Sequence, residues 1–174
     1  MGYAISLVAD NATSQPIRAL WDRVSEMEDA SSMAALDYPP HITLAIYDDI
    51  DFAQVQQATR RAFNRPRVTE LSFEQLDYFD NTPLVVWAAS NPSGDLQAIF
   101  NEIHGSIDPA LCRLHYRPGN WVAHCSLGTS ISEDRRTDAI EFTKQPLMPF
   151  TVRFDIADTV SFPPLNRVEQ WPLG

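Results

Sequence analysis

One short pattern occurs twice in this chain of 174 residues, first as Pro40-His41-Ile42-Thr43-Leu44-Ala45 and again as Ala123-His124-Cys125-Ser126-Leu127-Gly128. Each copy sets a histidine two residues before a hydroxyl side chain and three before a leucine. β-Branched content and alternation make both segments strands, and on a strand residues i and i+2 share a face. His41 therefore stands with Thr43, and His124 with Ser126. A strand built twice with comparable flanks suggests an internal duplication, in which the two strands are expected to face each other across a cleft.

The flanks bear this reading. Tyr3, Ile5, Leu7 and Ala9 alternate against Ala4, Ser6 and Val8 in a first strand that stops at Asp10-Asn11. Ile17, Leu20, Trp21, Val24 and Met27 then recur at helical spacing, with Thr13 or Ser14 to cap the helix and Pro16 in its first turn. A loop over 31–40 ends in Tyr38-Pro39-Pro40, whose prolines force an extended approach to His41. Uninterrupted alternation along the strand places Ile42, Leu44 and Ile46 on the core side and His41, Thr43, Ala45 and Tyr47 on the other. Asp49 or Asp51 caps a second helix through Phe52, Val55, Ala58, Thr59 and Ala62. It closes on Arg60, Arg61 and Arg65 before Pro66, cations that the helix dipole explains better than an RNA patch does.

Strands over 67–79 and 84–89 form a hairpin around Asp80-Asn81-Thr82-Pro83. Asn91-Pro92-Ser93-Gly94-Asp95 breaks the chain and opens a third helix carrying Leu96, Ile99, Phe100, Ile103 and Ile107, and a loop over 108–120 leads to the second motif. There His124, Ser126 and Gly128 share a face and Cys125 points to the core. Ser132 and Glu133 begin a fourth helix through Ile140 and Phe142, followed by strands near 150–162 and 167–171. The order is βαβ, αββ, αβ, αββ, read as one domain over 1–174 made of two lobes.

Composition narrows the partners. A hydrophobic fraction of 44% with 21% charged residues is that of a soluble globule, and no apolar run is long enough to cross a bilayer. The N-terminus lacks a basic, then apolar, leader, so a cytoplasmic location and no membrane partner are expected. Thirteen basic against twenty-three acidic side chains give a formal charge of −10, which repels extended duplex nucleic acid and favours a nucleotide or an RNA end. Cys112 and Cys125 read as buried, reduced thiols. A monomer without cofactors is expected.

Imidazole takes and gives protons near neutral pH, so two histidines flanking a phosphodiester can divide the work of base and acid. Thr43 and Ser126, on the same faces, can donate to the non-bridging phosphate oxygens as charge grows there. The catalytic candidates are thus His41 and His124, and the phosphate-binding candidates Thr43 and Ser126. Tyr47, placed on the His41 face, is the base-stacking candidate, ahead of Tyr38, Tyr116 and Trp121. No metal is assigned, because neither motif offers local ligand pairs such as CxxC or H-x₃-H. His104 is read as a helix-surface histidine, His115 as a loop histidine, and Arg117 as an exposed loop arginine.

Pro-His-Ile-Thr-Leu followed by Trp-x-x-His-x-Ser-Leu resembles the 2H phosphoesterase superfamily, whose best-known branch is the RNA 2′,3′-cyclic phosphodiesterases, also called 2′-5′ RNA ligases. The resemblance implies an α+β fold of two pseudo-twofold lobes, with two antiparallel sheets facing a central cleft and helices outside. It also implies His41, Thr43, His124 and Ser126 as the active constellation. The second motif departs from the family in Ala123, where proline is frequent, and in Cys125. The expected function is metal-independent hydrolysis of 2′,3′-cyclic phosphates on nucleotides or RNA ends. The alternatives are a binding module for a phosphorylated nucleotide that does not turn it over, and 2′-5′ RNA joining by the same histidines.

Overall fold

The computed structural model describes residues 1–65, 67–91 and 93–174; Pro66, which follows the second helix, and Pro92, in the stretch read above as breaking the chain, lie outside these. Among the described residues, seven strands are β1 (Gly2–Ala9), β2 (His41–Tyr47), β3 (Thr69–Phe79), β4 (Leu84–Ser90), β5 (His124–Ile131), β6 (Phe150–Phe162) and β7 (Asn166–Pro172). Four helices are α1 (Gln15–Ser25), α2 (Phe52–Ala62), α3 (Gly94–Ser106) and α4 (Arg136–Thr143). The helices start where capping chemistry allows. Asp51 accepts from the Ala53 N–H at 3.1 Å and Ser93 from the Leu96 N–H at 3.1 Å, whereas Ser14 caps by position only.

The fold is α+β, and every strand pair is antiparallel. Two separate sheets were expected; the strands instead join in one, in the order β2-β1-β6-β3-β4-β5 with β7 also on β6. The reason is the length of β6. Its first residues pair with β3, from Phe150 to Phe154, and its remainder pairs with β1 and β7, so one strand serves both halves. The order is palindromic: β2, β1 and β6 mirror β5, β4 and β3, as a duplicated βαβαβ unit that exchanges its last strand requires. β2 and β5 end this order, yet they come into contact, so the sheet is curled.

One face of the sheet lies under the helices and holds the main core, which includes Ile5, Leu7, Ile42, Leu44, Val86, Leu127 and Phe154. Tyr47 and Phe73 are among its largest fully buried side chains. α1 packs on β5, α2 on α3, and α4 on β3 and β4. A smaller cluster of Ala4, Val8, Tyr38 and Val160 lies on the other face of β1 and β6. No helix among the described residues is long and apolar enough to cross a membrane.

Candidate active site

Both motif strands carry the same irregularity. Ile5 faces Ala45 and Ser6 faces Thr43, which leaves Leu44 as the extra residue of a β-bulge; Val86 faces Gly128 and Trp87 faces Ser126, which leaves Leu127 in the same role. A bulge reverses the alternation beyond it. His41 and Thr43 therefore keep the cleft face, but Ala45 and Tyr47 turn to the core with Ile42 and Leu44, and Ile46 turns the other way. Tyr47 is fully buried, so it cannot stack on a bound base; that assignment is corrected by the bulge, which hydrophobic alternation alone does not reveal. Gly128 likewise leaves the His124 face. A Cβ there would lie 2.5 Å from Val24 Cγ1, so glycine is what lets α1 approach β5.

His41, Thr43, His124 and Ser126 all stand partly exposed on the facing strands. Each imidazole is held by a bond of the same kind. His41 Nδ1 lies 2.9 Å from the Pro39 carbonyl, and His124 Nδ1 lies 2.7 Å from the Val122 carbonyl, so Nδ1 carries the donated proton and Nε2 is left free. The Tyr38 ring meets His41 edge-on at 4.7 Å; Phe79 does the same for His124 at 5.1 Å, with Trp87 tilted beside it at 5.4 Å. Burial lowers the pKa of both rings, opposed by their carbonyl bonds. That of His41 falls to about 4, helped by the nearness of His124, so both imidazoles are neutral at pH 7 in the free cleft.

The exposed backbone edges of the two strands are closed by the opposite half of the chain. Trp21 on α1 donates its indole N–H to the Ser126 carbonyl at 2.9 Å, and Trp121 donates to the Thr43 carbonyl at 2.9 Å. The segment after α1 bridges β5 at Glu28 and Ile131, and the segment after α3 bridges β2 at Cys112 and Tyr47. Trp121 also stacks on Phe100, with centroids 4.3 Å apart, so it belongs to the scaffold. Sequence reading missed both indoles as clamps, and only the internal symmetry points to them. His104 was expected on the surface; it is buried, with Nε2 3.3 Å from the Leu44 carbonyl. Arg117 staples its own loop, donating to the Cys112 and Ala110 carbonyls at 2.7 Å each. Cys112 and Cys125 are free and buried, and the His41 backbone N–H faces the Cys125 sulfur.

Beside His124 and Ser126 opens a cleft of about 250 Å³, walled by Phe79 and Asn81 of the β3–β4 hairpin and by Arg113, His115, Tyr116 and Asn120 of the loop before β5. Arg113 is fixed there by Asp48, with Nε 2.7 Å from Oδ2. Of the tyrosines weighed as stacking groups, Tyr116 lines this space, whereas Tyr38 is buried behind His41.

Comparison with known proteins agrees with this layout. The 2′-5′ RNA ligase superfamily matches residues 14–161. Among solved structures, E. coli LigT complexed with 3′-AMP is 15% identical with a TM-score of 0.63, covering 99% of each chain. Thermus thermophilus TT0787 is 13% identical with a TM-score of 0.64, covering 99% of this chain and 98% of its own. Kluyveromyces marxianus Usb1 is 10% identical with a TM-score of 0.53, covering 91% and 92%. No curated protein matches. A family match over most of the length, the shared fold and the paired motifs together place the chain in the 2′-5′ RNA ligase superfamily, that is, among the 2H phosphoesterases.

Proposed function

We propose that this protein hydrolyses 2′,3′-cyclic phosphates on nucleotides or RNA ends by two-histidine acid–base catalysis. The observation that carries this reading is the matched anchoring of His41 and His124: both rings are fixed through Nδ1 and both leave Nε2 free on the facing strands. One Nε2 takes a proton from water as the water oxygen attacks phosphorus. The other, protonated when the anionic phosphate enters, gives its proton to the ribose oxygen as the P–O bond breaks. The product is a phosphomonoester. Thr43 and Ser126 donate to the non-bridging oxygens, where negative charge builds in the transition state.

Water is the favoured acceptor because it is present at far higher concentration than a second RNA end, which sets hydrolysis above joining. The small cleft and the formal charge of −10 support a short substrate rather than an extended duplex. That E. coli LigT has been solved with 3′-AMP supports a nucleotide as the substrate class here. The test is turnover of cyclic mononucleotides in the presence of EDTA. Activity should persist with the chelator and fall about 10²- to 10⁴-fold in His41→Ala and in His124→Ala. A strict requirement for added metal, or full activity in either variant, would overturn the reading.

A further inference from the structure

We propose that Ser6, Tyr38 and Asp158 form a positioning network behind the first motif, holding the Thr43 hydroxyl and the His41 ring for the phosphate; it rests on the phosphoesterase reading above. The three groups follow from strand register. Ser6 on β1 stands opposite Thr43 on β2 and opposite Asp158 on β6, so one row of polar side chains crosses three strands on the cleft face of the sheet. Ser6 is buried, and its hydroxyl donates to Thr43 Oγ1 at 3.4 Å. A hydroxyl has one proton and two acceptor sites. Once Thr43 accepts from Ser6, its own proton is directed away from the sheet, where a phosphate oxygen would lie.

Behind Ser6 the row ends in a fully buried carboxylate. Asp158 accepts from Gln170 Nε2 at 3.3 Å through one oxygen, with Arg167 Nε 3.8 Å away, and its other oxygen has no partner among the described residues. The Tyr38 hydroxyl, buried and also without a bond partner there, lies beside this carboxylate and Ser6. The same tyrosine ring packs edge-on against His41. A carboxylate among Ala4, Val8 and Val160 is a poor choice for packing alone, since an apolar residue of similar size would avoid the desolvation cost. Set beside the Tyr38 hydroxyl, it is placed to steady the ring that packs edge-on against His41.

The second half supplies an internal control. There the equivalent row is Asp77, Trp87 and Ser126; Asp77 is exposed, and an indole replaces the hydroxyl. Ser126 therefore has no hydroxyl behind it corresponding to Ser6, and the Trp87 indole N–H makes no hydrogen bond to it among the described residues. The network is specific to Thr43.

A double-mutant cycle of Ser6→Ala with Thr43→Val tests this, with kcat and KM read separately on a cyclic mononucleotide. Ser6→Ala should lower kcat about 2- to 10-fold with KM nearly unchanged, the value of one neutral hydrogen bond, and should have no further effect once Thr43 is valine. Combined with Ser126→Ala, its effect should instead multiply. Asp158→Asn, which keeps the shape, should lower kcat in the same direction at an unchanged melting temperature, and wild-type kinetics in that variant would remove Asp158 from the network. The cycle is repeated on the affinity for inorganic phosphate by calorimetry, which needs no turnover. Coupling in binding with a wild type that hydrolyses nothing would sink the proposed function and spare the network. Independent effects of Ser6→Ala and Thr43→Val in both readouts would sink the network.

Discussion

The indole of Trp21 donates to the carbonyl of Ser126 at 2.9 Å, so a helix from the first half of the chain holds the motif strand of the second. Trp121 returns the same bond to Thr43. Each clamp occupies a backbone carbonyl of the residue whose hydroxyl is proposed to hold the phosphate. Trp21→Phe keeps most of the ring packing but strips the carbonyl of its donor, and should cost about 1–3 kcal/mol in denaturant unfolding. Activity should fall with it, because the position of Ser126 loosens. A variant equal to wild type in both stability and kcat would show that the indole merely fills space.

The depressed ionisation of the two histidines sets the expected pH dependence. In the free cleft both rings are neutral above the ordinary value of 6.5, while the proposed reaction needs one neutral and one protonated ring. The kcat/KM profile should therefore peak on the acid side, between about 4 and 6.5. Bound phosphate draws a proton onto one imidazole, so the kcat optimum should lie at higher pH than that of kcat/KM. The same lowered pKa makes stability run the opposite way. Across that window the unfolded chain binds a proton at His41 that the folded chain refuses, so this contribution is complete above 6.5 and is lost as pH falls to about 4. His41→Gln should flatten the stability curve over that interval relative to wild type. Parallel curves would contradict the assigned shift.

Tyr47 shows where the sequence stops being legible. The two motifs, the element order and the four strand-borne candidates are readable because hydrophobic periodicity and repetition report directly on backbone conformation. The bulges at Leu44 and Leu127 are not, because an extra residue in one strand depends on the partner strand and leaves the apolar pattern almost unchanged. For the same reason the single sheet escapes a linear reading: nothing local marks β6 as the strand that both halves share. Since the Tyr47 hydroxyl is buried without a partner among the described residues, Tyr47→Phe should leave kcat and KM unchanged and be neutral or stabilising by about 1 kcal/mol. A rise in KM on this substitution would return Tyr47 to the substrate.

Gly128 tests the second bulge directly. Because Leu127 is the extra residue, position 128 faces α1 rather than the cleft, and an added Cβ would meet Val24 Cγ1 at 2.5 Å and Glu28 Oε1 at 3.0 Å. Val24 is fully buried and cannot swing aside. Glu28 is equally committed, accepting from the Ser32 and Ser130 hydroxyls and from the Ser130 N–H at 3.0 Å. Gly128→Ala should therefore force α1 away from β5 and destabilise by about 1–3 kcal/mol. Val24→Ala alone leaves a void and also destabilises, but in the Gly128→Ala background it removes the clashing methyl. The double variant should be more stable than the sum of the two losses predicts, as measured by urea midpoints at constant m-value. Strict additivity would mean that the side chain at 128 points into the cleft, as unbroken alternation from His124 requires.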